Sequence, residues 1–296
     1  MKNKDLYNLQ KFTQDKMEDI EKVKNILSKA DYVLIGAGAG LSTAAGNTYS
    51  GERFEKNFKS FIDKYNFTDL YTSGFYNFKT EEEKWAYWFK HIYIANIGLP
   101  ILPLYKKLYD YLENSKKDYF IITTNVDDCF YKAGFSPNKI FRPQGSYKIL
   151  QCQKACHPGL YDYTDKIEKA LKYIDEKNCI LPTEYVPKCP KCGGKMFCNI
   201  RCDDYFVEGD EFKKGQKNYV EFLEKIKGKK VALLELGVGY NTPVIIRFPF
   251  EKMTSKNKDF HLIRLNMNEL DCMFDLGDRV TLIPGDMKEA LELICS

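Results

Sequence analysis

Only three histidines occur among the 296 residues, at positions 91, 157 and 261. His91 lies in an aromatic helical run with Trp85, Trp88 and Phe89, and His261 opens an apolar run, so neither is assigned a role. No stretch approaches the length of a membrane span. The longest apolar candidate, from Ile92 to Tyr105, is broken by Gly98, Pro100 and Pro103. Met1-Lys2-Asn3-Lys4-Asp5 leads into no apolar leader core, which predicts a cytoplasmic chain without membrane contact. Charge is nearly balanced, with 45 basic and 41 acidic residues, and this argues against a nucleic-acid partner. Walker A is missing. The dinucleotide fingerprint G-x-G-x-x-G is missing too, as is the acidic strand end that follows it.

What is present is a run of small residues, Gly36 to Gly46, after the apolar Tyr32-Val33-Leu34-Ile35. Bare backbone at the start of a helix lets a pyrophosphate approach N–H groups, and Ser42 and Thr43 add hydroxyl donors. A close-packed strand–helix turn is the structural alternative. Further apolar strands are read at 119–122, 231–234, 262–265 and 280–283. Helices are read at 14–30, with Met17, Ile20, Val23 and Leu27 on one face, and at Thr80–Asn96, 103–114, 216–227, 243–250 and 286–295. Thr80 and Glu83 suggest a capping box, and Gly98 lies just past that helix. Strands alternating with helices predict an α/β fold, a Rossmann-like, mostly parallel sheet covered on both faces. Residues 147–209 break the rhythm and read as an inserted module with a charged helix near 164–177.

At the end of strand 119–122, Thr123-Thr124-Asn125-Val126-Asp127-Asp128 places polar groups where such sheets bind ligands. Asn125 suits a ribose or carboxamide and Asp127 a nearby positive charge; an Asx turn or helix cap is the alternative. The module holds two cysteine hooks, Cys152-x₃-Cys156 and Cys189-x₂-Cys192, that could close a tetrahedral zinc site. Cys198-x₃-Cys202 competes with the first hook, and His157 is another candidate ligand. Cys129, Cys179, Cys272 and Cys295 read as small core residues.

Together these segments resemble the sirtuins. Gly38-Ala39-Gly40-Leu41-Ser42-Thr43-Ala44-Ala45-Gly46 is similar to the sirtuin G-A-G-x-S loop, and Thr124-Asn125-Val126-Asp127 to Q-N-I-D. Cys189-Pro190-Lys191-Cys192-Gly193-Gly194 is similar to the second half of the sirtuin zinc knuckle, and Leu236-Gly237-Val238-Gly239 to a later G-T-S segment. The resemblance implies an NAD-binding domain at 1–146 and 210–296, with a helical insertion about 50–100, and a zinc-binding module at 147–209. It implies NAD contacts at Gly38, Ala39, Gly40, Thr43, Arg53, Thr124, Asn125, Val126, Asp127, Gln144, Gly237, Val238, Gly239, Asn266, Asp286 and Met287. It also favours Cys152, Cys156, Cys189 and Cys192 as ligands of a structural Zn²⁺.

Two departures redirect the expected chemistry. Sirtuin deacylases carry His-Gly where this chain has Gln144-Gly145. A glutamine amide can hold a ribose hydroxyl but cannot take its proton. Arg201 stands where deacylases keep an apolar acyl channel, and a guanidinium orients carboxylates or phosphates. The chain thereby resembles class M microbial sirtuins, which act as protein ADP-ribosyltransferases. Asn125, Asp127, Gln144 and Arg201 become the expected catalytic set. In that class the acceptor is a lipoylated carrier related to the glycine-cleavage H protein, and a macrodomain hydrolase removes the mark. A weak NAD-dependent deacylase, an NAD glycohydrolase and an NAD or ADP-ribose sensor are the alternatives.

Overall fold

The computed structural model describes residues 3–296. In chain order the helices are α1 (Asn3–Lys29), α2 (Ala39–Ala44), α3 (Glu52–Tyr65), α4 (Leu70–Ser73), α5 (Glu81–Ile92), α6 (Pro103–Ser115), α7 (Cys129–Ala133), α8 (Thr164–Ala170), α9 (Asp210–Lys225), α10 (Arg247–Lys256) and α11 (Met287–Ile294). The strands are β1 (Tyr32–Ala37), β2 (Asp118–Thr123), β3 (Ile140–Phe141), β4 (Gly145–Cys152), β5 (Leu160–Asp162), β6 (Met196–Ile200), β7 (Val231–Leu236), β8 (Phe260–Asn266) and β9 (Val280–Pro284).

Six strands form one sheet in the order β3-β2-β1-β7-β8-β9, and every neighbouring pair is parallel. This is the doubly wound order, and the direction of winding reverses between β1 and β7. Strand alternation sorts the two faces. Val33, Ile35, Tyr119 and Ile121 meet α1, α6 and α11, whereas Leu34, Phe120 and Ile122 meet α9 and α10. On α1, Ile20, Val23 and Leu27 are buried as expected, but Met17 is exposed.

A second sheet, β5-β4-β6, is antiparallel. Its core is shared with the helical insertion. Phe54, Phe58, Phe61, Tyr87 and Trp88 pack in one cluster with Tyr147, Leu150, Ile167 and Met196. The charged helix expected to Lys177 stops earlier. α8 gives way to a 3-10 turn, and the Asp175 carboxylate takes the N–H groups of Lys177 and Asn178 as an Asx turn.

Thr80 caps α5 by accepting from the Glu83 N–H, but Glu83 bonds Lys64 instead of closing a capping box. Past Ile92 the chain widens into a π-helical turn, Tyr93–Ile97. Gly98 keeps a right-handed conformation there. It is glycine for space, since a Cβ would stand 2.7 Å from the Tyr93 ring.

His91 is buried against Trp88, Tyr49 and Tyr147, and its Nε2 has no partner among the described residues. Burial pushes it down to about 3. The unfolded chain binds that proton near its ordinary value, so the folded state loses stability as pH falls below about 6.5. His91→Phe is expected to lose less thermal stability than the wild type between about pH 7 and about pH 5. Equal losses in the two proteins would remove His91 as a cause.

Candidate active site and metal centre

The loops leaving β1 and β7 press together at the switch point. A Cβ on Gly40 would lie 2.7 Å from Gly237 Cα, and one on Gly38 would lie 2.6 Å from Gly237 O. Gly237 itself has φ +61. The Gly38 N–H donates to Leu236 O (3.0 Å) and the Gly40 N–H to Gly237 O (3.0 Å). Two glycines that suggested a phosphate cradle thus serve loop-to-loop contact and spend their own donors on it. Ala39 and Thr43 are exposed on α2, and Thr124 is half-buried. Gly40→Ala forces a backbone collision that no side-chain rotation relieves. It is expected to weaken NAD binding at least tenfold, by about 1.4 kcal/mol or more. Titration calorimetry checks this, and unchanged affinity would count against the loop as a cofactor wall.

Asn125 and Asp127 sit directly behind this junction and are both buried. Asn125 Nδ2 donates to Gly38 O (3.0 Å), Ser42 Oγ (3.1 Å) and Tyr105 Oη (3.3 Å), and no hydrogen bond among the described residues uses its Oδ1. The Ser42 hydroxyl donates to Asp127 Oδ2 (2.5 Å), whose other oxygen takes the Cys129 N–H (3.1 Å). Burial raises Asp127 above the ordinary carboxylate range, although Ser42 and Cys129 pull the other way. Asn47 Nδ2 also reaches Asp127, at 3.4 Å, while its Oδ1 is buried without a partner among the described residues.

The π-helical turn holds the segment above. Ala95 O accepts from Asn47 and Ile94 O from Arg53, and Asn96 Nδ2 donates to Val126 O. Arg53, read as a phosphate or ribose contact, gives its two terminal nitrogens to Thr48 O and Ile94 O.

Gln144 lies in the turn between β3 and β4, after Pro143 and before Gly145, whose φ is +86. The turn is laced to the strand end on either side. Arg142 and Ser146 both bond Asp128, and the Tyr147 N–H donates to Val126 O (3.1 Å). Gln144 O accepts from the Arg201 N–H at 3.1 Å, so these two sites are neighbours through the backbone. The exposed Arg201 guanidinium pairs with Glu208 (2.7 Å), not with Asp203 or Asp204, and lies over Phe206. Beside it a cleft of about 650 Å³ is lined by Gly145, Ser146, Asn199, Phe206 and Phe212.

Val238 and Gly239 are held from below. Val238 O accepts from Asn266 Nδ2 (3.1 Å) and from Arg247 (3.3 Å). Asp286 caps α11 through the Lys288 N–H (2.8 Å), and Met287 is buried in the core beneath it. Sequence reading missed what lies under this loop, a buried quartet of Glu235, Arg247, Glu251 and Arg264. A charge inside each of two neighbouring apolar strands was its signal, and Glu235 and Arg264 are register partners.

The metal-ligand set converges. The sulfurs of Cys152, Cys156, Cys189 and Cys192 all lie within 4.8 Å of one another. Cys152–Cys192 is 3.8 Å and Cys156–Cys189 is 3.7 Å. A tetrahedral zinc with bonds of about 2.3 Å has sulfur–sulfur edges of about 3.8 Å. The donors therefore fit a structural Zn²⁺, with four thiolates and no open position. Cys198 is buried in β6 and outside this set.

Fold and cysteine cluster together match the sirtuin architecture. Sir2Tm bound to a propionylated peptide superposes with a TM-score of 0.54 at 18% identity, covering 93% of this chain and 95% of that one. A Sir2–p53 peptide–NAD⁺ structure gives 0.54 at 19% identity, covering 91% and 93%. No family model matches. The Staphylococcus aureus "Protein ADP-ribosyltransferase" is 35% identical over 253 residues, 85% of this chain and 79% of that protein. A Fusarium oxysporum f. sp. cubense protein, "Probable bifunctional ADP-ribose hydrolase/ADP-ribosyltransferase", is 32% identical over 279 residues, 90% of this chain and 46% of that longer protein. The chain belongs to the sirtuin-type protein ADP-ribosyltransferases. No helix among the described residues is long and apolar enough to cross a membrane.

Proposed function

We propose that this chain transfers ADP-ribose from NAD to a protein acceptor, and that the observation carrying this reading is Gln144 at the turn before β4. Deacylation needs a base beside the ribose, and neither Gln144 nor Arg201 can act as one near neutral pH. Bound NAD supplies an ADP-ribosyl group joined to a leaving nicotinamide. Gly38, Gly40, Gly237 and Val238 shape the wall that would hold it. The unpartnered Asn47 Oδ1 beside Asp127 is an acceptor suited to a ligand N–H. Asn125 presents its amide oxygen to the reacting sugar, where positive charge develops. Asp127 keeps Ser42 and Cys129 in place behind it. Gln144 orients a hydroxyl, and Arg201, at the cleft beside Gln144, orients the acceptor.

The acceptor proposed is a lipoylated carrier related to the glycine-cleavage H protein. A macrodomain hydrolase is the proposed functional partner, and a relative named for both hydrolase and transferase activities supports that link. The test combines labelled NAD with the lipoylated carrier, its unlipoylated form and an acylated peptide. Label on the lipoylated carrier is expected. Acyl-ADP-ribose without protein label would overturn transfer in favour of deacylation, and equal labelling of both carrier forms would overturn the lipoyl requirement.

A further inference from the structure

Three residues outside the ligand set close on the metal centre from one side. His157 directly follows Cys156. Its Nδ1 lies 3.2 Å from Cys156 Sγ and 3.8 Å from Cys189 Sγ, one sulfur from each hook. Its Nε2 lies 2.8 Å from Tyr161 Oη. Gly159, between them in sequence, makes this contact sterically possible. A Cβ there would stand 2.8 Å from His157 Nε2 and 2.8 Å from Tyr161 Oη.

Chemistry fixes the direction of the contact with sulfur. A metal-bound thiolate only accepts hydrogen bonds, so Nδ1 must carry the proton. In the neutral tautomer with that proton, the lone pair is on Nε2, which then accepts from the Tyr161 hydroxyl. One tautomer satisfies both contacts. The ring nitrogen also lies outside the group of ligand atoms within 4.8 Å of one another, so His157 is an outer partner of the four sulfurs.

The first cysteine of each hook has backbone donors. Backbone N–H groups of Cys156 and Lys154 lie near Cys152, and those of Cys192 and Lys191 near Cys189. Cys156 is the exposed second cysteine of its hook, and His157 supplies its donor. Four thiolates around a divalent ion leave an excess of two negative charges, which N–H donors offset.

We propose that His157 is a positioning residue of the metal centre: its Nδ1–H bridges Cys156 and Cys189, Tyr161 fixes its ring, and this clasp ties the two hooks together and slows metal loss. The clasp bears on the active site through the module. β4 runs from the Gln144 turn to Cys152, and β6 pairs with it and leads to Arg201.

The test uses the full chain loaded with cobalt(II) for spectra and zinc for release. His157→Phe is expected to keep one metal per chain and the ligand-field bands of a four-sulfur site. Its sulfur-to-cobalt charge-transfer band is expected at lower energy, and zinc is expected to pass to a chromogenic chelator about tenfold faster. Tyr161→Phe, which removes only the anchoring hydroxyl, is expected to move both readouts the same way by less. His157→Asn places an amide N–H near the Nδ1 position and is expected to restore most of the slow release. Unchanged release and charge transfer in His157→Phe would overturn the proposal. So would a mixed nitrogen–sulfur ligand-field pattern in the wild type. Should His157→Phe fail to fold, wild-type release from Tyr161→Phe would overturn it alone.

Discussion

Asn125→Ala is expected to lower turnover by about 10²–10³-fold, the range for removing one preorganised polar group from a site where charge develops. NAD affinity is expected to change much less. The three hydrogen bonds through Nδ2, to Gly38 O, Ser42 Oγ and Tyr105 Oη, hold the amide plane rigid. Its oxygen is the end that no described residue uses. A fixed carbonyl dipole aimed at a sugar carbon gains most when that carbon becomes cationic, so its value appears in turnover more than in binding. Alanine also leaves Gly38 O without its donor, so a second variant is informative. Asn125→Asp keeps an oxygen in place of Oδ1 but loses the donor, and is expected to fall between alanine and wild type. Single-turnover nicotinamide release measures the chemical step, and titration with ADP-ribose measures binding. An affinity loss as large as the turnover loss would reassign Asn125 to a purely structural role.

The parts of this site that were legible in sequence are the parts encoded locally. Apolar runs marked the sheet strands because parallel strands covered on both faces lack polar alternation. Cysteine hooks announce themselves by spacing, and the order of the motifs identified the family. What was hidden is the partnering. Ser42 meets Tyr105 across 63 positions and Asp127 across 85, and no periodicity encodes such contacts. Tyr105 lies on the buried stripe of α6 and reads as core. The π-helical turn was hidden for a different reason. Its sequence continues the helical pattern, and only Gly98 against the Tyr93 ring marks where the geometry changes. For the glycine loop, the sequence hid one structural cause of its small residues, because Gly237 approaches it from the far half of the chain.

Replacing Glu235 by leucine is expected to destabilise the protein by about 3–5 kcal/mol, the usual result of removing one partner from a buried ion cluster. Arg264 forks onto Glu235 at 2.7 and 3.0 Å and reaches Glu251 at 2.7 Å. Burial works against its charge, but these two carboxylates hold the guanidinium above its ordinary range. Without Glu235, two fully buried guanidinium groups share one buried carboxylate, Glu251. For a chain of this size the midpoint of thermal unfolding is expected to fall on the order of 10 °C. The double variant Glu235→Leu with Arg264→Met removes a balanced pair and is expected to recover much of that loss. Additive losses in the double variant would show that the two charges do not act as a unit. The cluster also reaches the candidate site. Arg247 donates to Val238 O, Glu269 O and Asp271 O, and Arg264 shares the last of these. Two arginines thus fasten both loops that leave β7 and β8 beside the glycine junction. The carbonyls they hold lie beneath the glycine junction proposed as the cofactor wall, so part of the stability lost in Glu235→Leu is expected to return on saturation with ADP-ribose. Equal midpoint shifts with and without ADP-ribose would separate the cluster from the site.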